Sequence, residues 1–339
     1  MTRMSLAPGM TLALGLAVLA WWVGTYFLPL VGGPVIGILL GVAVNNLVSL
    51  PKSLRPGIAF SSKKILQTSI VFLGAGLSLH QVWRTGLASL SVMVLTISSA
   101  FIVAFLFGRV LKVSANLTSL VGVGTAICGA SAIAALAPIV EADDHEVAYS
   151  ISTIFFFNLL AVLIFPALGH LLRLSQAGFG LWAGTAINDT SSVVAAGYAF
   201  GQAAGNYATI VKLTRTTMII PIALIFSIAG SRRKHGQPGN GLSGRETAGF
   251  RLSRLIPWFV VWFLVASLLN TVGLFTAPLS NGLNVAGRFL IVVALVAVGL
   301  GADLKKIMAT GLRPLGLGMV VWFVVAAVSL VVQRWGGQF

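Results

Sequence analysis

Gly86-Leu-Ala-Ser-Leu-Ser-Val-Met-Val-Leu-Thr-Ile-Ser-Ser-Ala-Phe-Ile-Val-Ala-Phe-Leu-Phe-Gly108 carries no charged side chain. A helix crosses about 30 Å of hydrocarbon with about 20 residues, so this stretch alone is long enough to span a bilayer. Runs of the same character recur from end to end. The hydrophobic pattern places spans near 9–27, 33–50, 65–82, 86–108, 115–139, 147–169, 177–201, 206–230, 255–275, 282–302 and 309–333. The expected fold is an all-α polytopic membrane protein of about eleven transmembrane helices.

Composition leads the same way. Of 339 residues 57% are hydrophobic and 9% charged, with mean hydropathy +0.98, whereas soluble domains carry about 25% charged residues. Such a chain cannot present a water-compatible surface. The net charge of +15 does not point to nucleic acid, because most Lys and Arg sit in short loops between apolar runs, where they set orientation. With the amino terminus in the cytoplasm, Lys52, Arg55, Lys63, Lys64, Arg109, Lys112, Arg173, the Ser231 to Arg254 loop, Lys305 and Lys306 fall inside. The acidic loop Glu141 to Glu146 then falls outside, and the carboxyl terminus is expected in the periplasm. Arg84 and Arg334 are the outside exceptions.

The basic, glycine-rich stretch 231–254 reads as a cytoplasmic connector between helices one to eight, in 1–230, and helices nine to eleven, in 255–339. The single cysteine, Cys128, excludes an internal disulfide, and no Cys and His grouping has metal-ligand spacing. The first apolar run lacks a small-residue cleavage site and reads as a retained helix.

Two internal similarities stand out. Lys64 to Leu90 aligns with Phe289 to Leu315, most clearly where Gly74-Ala-Gly-Leu-Ser-Leu79 faces Gly299-Leu-Gly-Ala-Asp-Leu304. On the span count above the two copies run in opposite directions, the inverted repeat of many secondary transporters. Gly124-Thr-Ala-Ile127 also matches Gly184-Thr-Ala-Ile187, but those two spans would run the same way. One simple duplication does not accommodate both.

Polar groups deep in an apolar chain must be paired or hydrated, so they carry the information about function. Gly122-Val-Gly-Thr-Ala-Ile-Cys-Gly-Ala-Ser131 and Gly184-Thr-Ala-Ile-Asn-Asp-Thr-Ser-Ser192 put glycines and hydroxyls at span centres. They are expected to break the fifth and seventh helices at the midplane, because unwound backbone persists there only in protein or beside a watery cavity. A restarted half-helix presents free amides and positive dipole, a site for an anion. Close helix packing by small residues is the alternative for Gly122 and Gly129.

The eighth span contains Thr209-Ile-Val-Lys-Leu-Thr-Arg-Thr-Thr217. Lys212 and Arg215, three apart, share a helix face, and each such charge costs about 2.5–3.5 kcal/mol to insert. Asp189 is the only carboxylate in a span interior, so one positive charge is left over. A bound anion held by Lys212, Arg215, Asn188, Asp189, Thr190, Ser191, Thr125, Cys128, Gly129 and Ser131 would balance it. A purely structural Asp189 to Arg215 pair is the competing reading. Arg288 and Lys63, aligned in the repeat, read as snorkelling residues or as symmetry-related gates.

At these residues the chain resembles the YeiH-type membrane proteins, a family assigned to sulfate export, over nearly its whole length. The resemblance rests on Gly124-Thr-Ala-Ile-Cys-Gly-Ala-Ser-Ala-Ile-Ala-Ala135, Ala186-Ile-Asn-Asp-Thr-Ser-Ser-Val-Val-Ala-Ala196 and Val211-Lys-Leu-Thr-Arg-Thr216. It implies a bacterial inner-membrane secondary transporter with an inverted-repeat fold like sodium/proton antiporters and bile-acid symporters, exporting sulfate or a related oxyanion.

The reading is therefore an alternating-access carrier of a small oxyanion, with no enzymatic activity and no cofactor. Coupling to protons or sodium, and a homodimer, remain open. A cation/proton antiporter using Asp189 is one alternative. A membrane-embedded enzyme using Cys128, or an assembly subunit, is another. No Gly-x4-Gly-Lys phosphate loop supports an ATP-driven mechanism.

Overall fold

The computed structural model describes residues 6–28, 31–235 and 257–338, with the side chains of 229–235 and Lys306 excepted. Most of the basic connector, 236–254, lies outside the described residues. In chain order the helices are α1 (Ala7–Tyr26), α2 (Gly32–Leu47), α3 (Arg55–Phe60), α4 (Leu66–Gly74), α5 (Leu79–Val110), α6 (Ala115–Ala126), α7 (Ala130–Val140) and α8 (Asp144–Leu171). Then follow α9 (Gln176–Ala186), α10 (Thr190–Phe200), α11 (Gln202–Thr217), α12 (Ile219–His235), α13 (Trp258–Thr271), α14 (Ala277–Leu300), α15 (Leu304–Met308) and α16 (Leu312–Trp335). A wide turn at Ser61–Ile65 joins α3 to α4 without a break in the helix path.

Among the described residues, six helical stretches are long and apolar enough to cross a bilayer: α1, α5, α8, α11 with α12, α14 and α16. Their outer faces expose Val18, Trp83, Leu106, Val110 and Phe323, which water would not tolerate in such density and lipid does. The chain is an all-helical, multi-pass membrane protein. Serines and aspartates start its helices: Ser78, Ser114 and Ser175 accept backbone N–H groups of α5, α6 and α9, and Asp143 with Glu146 forms a capping box on α8. Helix pairs close through glycine. A methyl at Gly41 of α2 would sit 2.3 Å from the carbonyl of Val296 in α14, so a larger residue there would force the two backbones apart.

The aligned segments 64–90 and 289–315 make equivalent contacts. Asn270 of α13 donates to the Leu77 carbonyl at 3.3 Å, and Thr271 accepts the Leu79 N–H at 2.7 Å. In the same register Asn45 of α2 donates to the Ala302 carbonyl at 2.8 Å, and Asn46 accepts the Leu304 N–H at 3.0 Å. Gly74 faces the Phe263 carbonyl as Gly299 faces that of Ile38. Each helix that precedes one copy thus caps the loop of the other. The copies α4 and α14 run antiparallel, since Gly287 packs on Ser69 and Phe72 while Ser280 reaches Ala75. The copies diverge at Gly311, where φ is +90° and α16 begins, because the matching Gly86 stays inside α5.

The fifth and seventh apolar segments do break where their glycines lie, at 127–129 and 187–189. The expectation that each then continues across the membrane is corrected: both fold back. Ser114, which caps α6, donates to Glu146 of α8 at 2.5 Å, whereas a straight 115–140 helix would put those ends roughly 40 Å apart at 1.5 Å per residue. Gln176 of α9 accepts the Ala204 N–H of α11 at 2.9 Å, and Phe179 stacks on Phe200 at 3.9 Å. So α6–α7 and α9–α10 are helical hairpins. The 28-residue α8 joins them, so they enter from opposite ends and their tips approach each other. The eleven-crossing count does not survive this geometry, nor does the placement of the acidic loop opposite Lys112: Lys112, Asp143 and Glu146 line one recess. The hairpins also answer the puzzle of direction, because the matching Gly-Thr-Ala-Ile stretches enter oppositely.

Candidate functional site at the hairpin tips

The tips are assembled from backbone. Gly129 holds φ at +65°, a conformation that favours glycine, and a methyl there would stand 3.7 Å from Cβ of Asp189. Thus the two tips lie side by side. Helices α6 and α9 end at them and α7 and α10 start from them, four helix termini in one place whose end groups have no partner within their own helices.

Lys212 and Arg215 of α11 are fully buried and occupy the carbonyl ends. The Lys212 ammonium donates to the carbonyls of Ile127, at 2.7 Å, and Ile187, at 2.9 Å, one from each tip. Arg215 donates from Nε to Ala126 at 2.7 Å, from Nη2 to Thr125 at 2.9 Å and from Nη1 to Thr185. The i, i+3 spacing that put both cations on one face thus clamps both hairpins to α11. Each α6 or α9 end carries roughly half a negative charge, and the cations sit where that potential is most favourable.

Asp189 does not pair with Arg215. Its carboxylate accepts the Ser191 N–H at 3.0 Å and the Ser191 hydroxyl, capping α10; all three guanidinium nitrogens of Arg215 go to carbonyls instead. Asp189 is half-buried. Thr125, Asn188, Thr190, Ser191 and Cys128 are buried around the tips, whereas Ser131, the second residue of α7, is exposed. Both polar atoms of the Asn188 side chain and the hydroxyl of Thr125 are buried without a hydrogen-bond partner among the described residues. Such groups are rare because each costs about 1–3 kcal/mol.

Sequence reasoning passed over Asn158. At the middle of α8, its Oδ1 accepts the N–H groups of Asn188 and Asp189, both at 3.1 Å. The signal was present: an amide inside Phe155-Phe-Phe-Asn-Leu-Leu160 is as anomalous in oil as the residues that were singled out.

The family model described as conserved hypothetical protein 698 matches residues 8–318. A UPF0324 membrane protein of Streptococcus pyogenes serotype M6 is 42% identical, with 98% of each chain covered. UPF0324 membrane proteins of Fusobacterium nucleatum and Clostridium tetani are each 40% identical, covering 98% and 91% of both chains respectively. The chain belongs to this family, conserved hypothetical protein 698 or UPF0324, to which the YeiH-type resemblance pointed.

Proposed function

We propose that the chain is a secondary transporter of a small, sulfate-like oxyanion, exporting it across the bacterial inner membrane by alternating access at the hairpin tips. The observation that carries the reading is the charge at those tips. Two buried cations meet one carboxylate; the two helix ends and two helix starts, at roughly half a charge each, cancel. The balance stays at about one positive charge, and a visiting anion would neutralise it. The unpartnered Asn188 amide and Thr125 hydroxyl add donors of the kind an oxyanion needs.

The equivalent contacts of α4 with α13 and of α14 with α2 support an inverted repeat. Hairpins entering from opposite ends support access from either side in turn. Sulfate flux into proteoliposomes tests the reading: flux above that of protein-free vesicles, lost in Lys212→Ala, supports it, and equal flux in both rejects it.

A second reading has its own observation. Because carbonyls take up Lys212 and Arg215, the half-buried Asp189 is left with Ser191 alone and could carry a proton or sodium. Stabilisation of the purified protein by sodium but not by sulfate would favour it.

A further inference from the structure

A cavity of about 210 Å³ lies away from the tips, between α1, α2 and α14 on one side and α10 and α11 on the other. Trp21, Thr25, the Gly32-Gly33-Pro34 start of α2, Tyr198, Gln202 and Arg288 line it. At about 30 Å³ per water in the liquid, it has room for several waters or one compact ion.

Its polarity is one-sided. Among the described residues, Arg288 is the only charged one in the lining. It donates from Nη1 to Gln202 Oε1 at 3.2 Å, while its Nε is buried with no partner among the described residues. The 16-residue α2 begins at the cavity with no side-chain cap, so its positive end adds to the field there. Among the described residues no carboxylate lines the space. Lys63, aligned with Arg288 in the repeat, is exposed, whereas Arg288 is half-buried with its Nε shut away from solvent. A guanidinium in a membrane protein with an orphaned donor is costly unless something negative visits it.

We infer that this cavity is a second anion site, taking one tetrahedral oxyanion, either free or as the phosphate of an anionic lipid headgroup. Arg288 supplies the fork, and the Trp21 and Tyr198 rings wall the pocket. An occupant touches both helix groups at once and ties α10 and α11 to α2 and α14. The inference does not rest on the transport reading, since the cavity shares no residue with the hairpin tips.

The test is binding by the purified full-length protein in detergent, with two probes: radiolabelled sulfate by equilibrium dialysis, and phosphatidylglycerol by native mass spectrometry. The wild-type chain is expected to bind one equivalent more of sulfate or of lipid than Arg288→Gln, with Arg288→Lys between and Lys63→Gln unchanged. Loss in the sulfate arm identifies a free oxyanion, and loss in the lipid arm a headgroup. Gln202→Leu, which removes the Arg288 anchor, gives an independent weakening even where Arg288→Gln does not fold. Sulfate held at the tips disappears in Lys212→Ala and persists in Arg288→Gln, so the two sites fail separately. Equal binding of both probes by wild type, Arg288→Gln and Gln202→Leu overturns the inference.

Discussion

Asn158 accepts the backbone N–H of Asp189 at 3.1 Å, so the centre of α8 holds the tip of the second hairpin. Asn158→Leu would leave that N–H and its neighbour at Asn188 buried and unpaired, at about 1–3 kcal/mol each. We expect a lower melting temperature in detergent and little sulfate flux. Asn158→Asp, which keeps the acceptor, is expected to retain the fold. Unchanged melting of Asn158→Leu would show that the tip is held elsewhere.

The hairpins are testable without any substrate. In a Cys128→Ser background, the pair Ser114→Cys with Glu146→Cys is expected to form a disulfide, because the two side chains meet. Gln176→Cys with Ala204→Cys is expected to do the same at the other end. Segments that crossed the membrane would keep either pair apart, and a gel of the oxidised protein would then show no shift.

Charge alone does not explain Arg215. Arg215→Lys keeps the charge but offers one ammonium to three carbonyls that now bond three separate nitrogens. Each lost bond to a charged group is worth about 1.5–3 kcal/mol, so a fall in flux of about tenfold or more is expected, with insertion intact. Wild-type flux in this variant would reduce the clamp to a mere counter-charge.

Two glycines with positive φ separate strain from site. Gly129→Ala and Gly311→Ala both force a side chain onto sparsely populated positive-φ backbone, at about 1–3 kcal/mol. At Gly311 an added methyl meets open space, whereas at Gly129 it meets Ile154 at 3.3 Å and Asp189. Thermal melting should fall in both, and sulfate flux only in Gly129→Ala. Equal loss of flux in the two would mean that the tip geometry is not special.

Much of this architecture was legible from residues alone. The apolar runs coincide with helices, the Gly-Thr-Ala-Ile motifs mark the breaks, and the spacing of Lys212 and Arg215 correctly aimed both at the same helices. What failed was the path of the chain after a break. A three-residue interruption such as Ile127-Cys128-Gly129 reads the same in sequence whether the next helix continues or reverses, because hydrophobic periodicity reports burial and carries no direction. The Asp189 to Arg215 alternative failed for a different reason. It counted only formal charges, and the carbonyl ends of α6 and α9, which attract those cations, have no letter of their own in a sequence.

The two matched pairs are nested in the chain: α2 to α5 answers to α13 to α16, and between them the first hairpin answers to the second. A half-turn that exchanges the halves therefore carries the mouth of one hairpin to the opposite water phase and leaves every helix intact. Two conformers related in this way would be equal in energy were the halves identical. Under the proposed alternating access, the departures from identity, Cys128-Gly129 against Asn188-Asp189 and Lys63 against Arg288, would set which way the molecule rests.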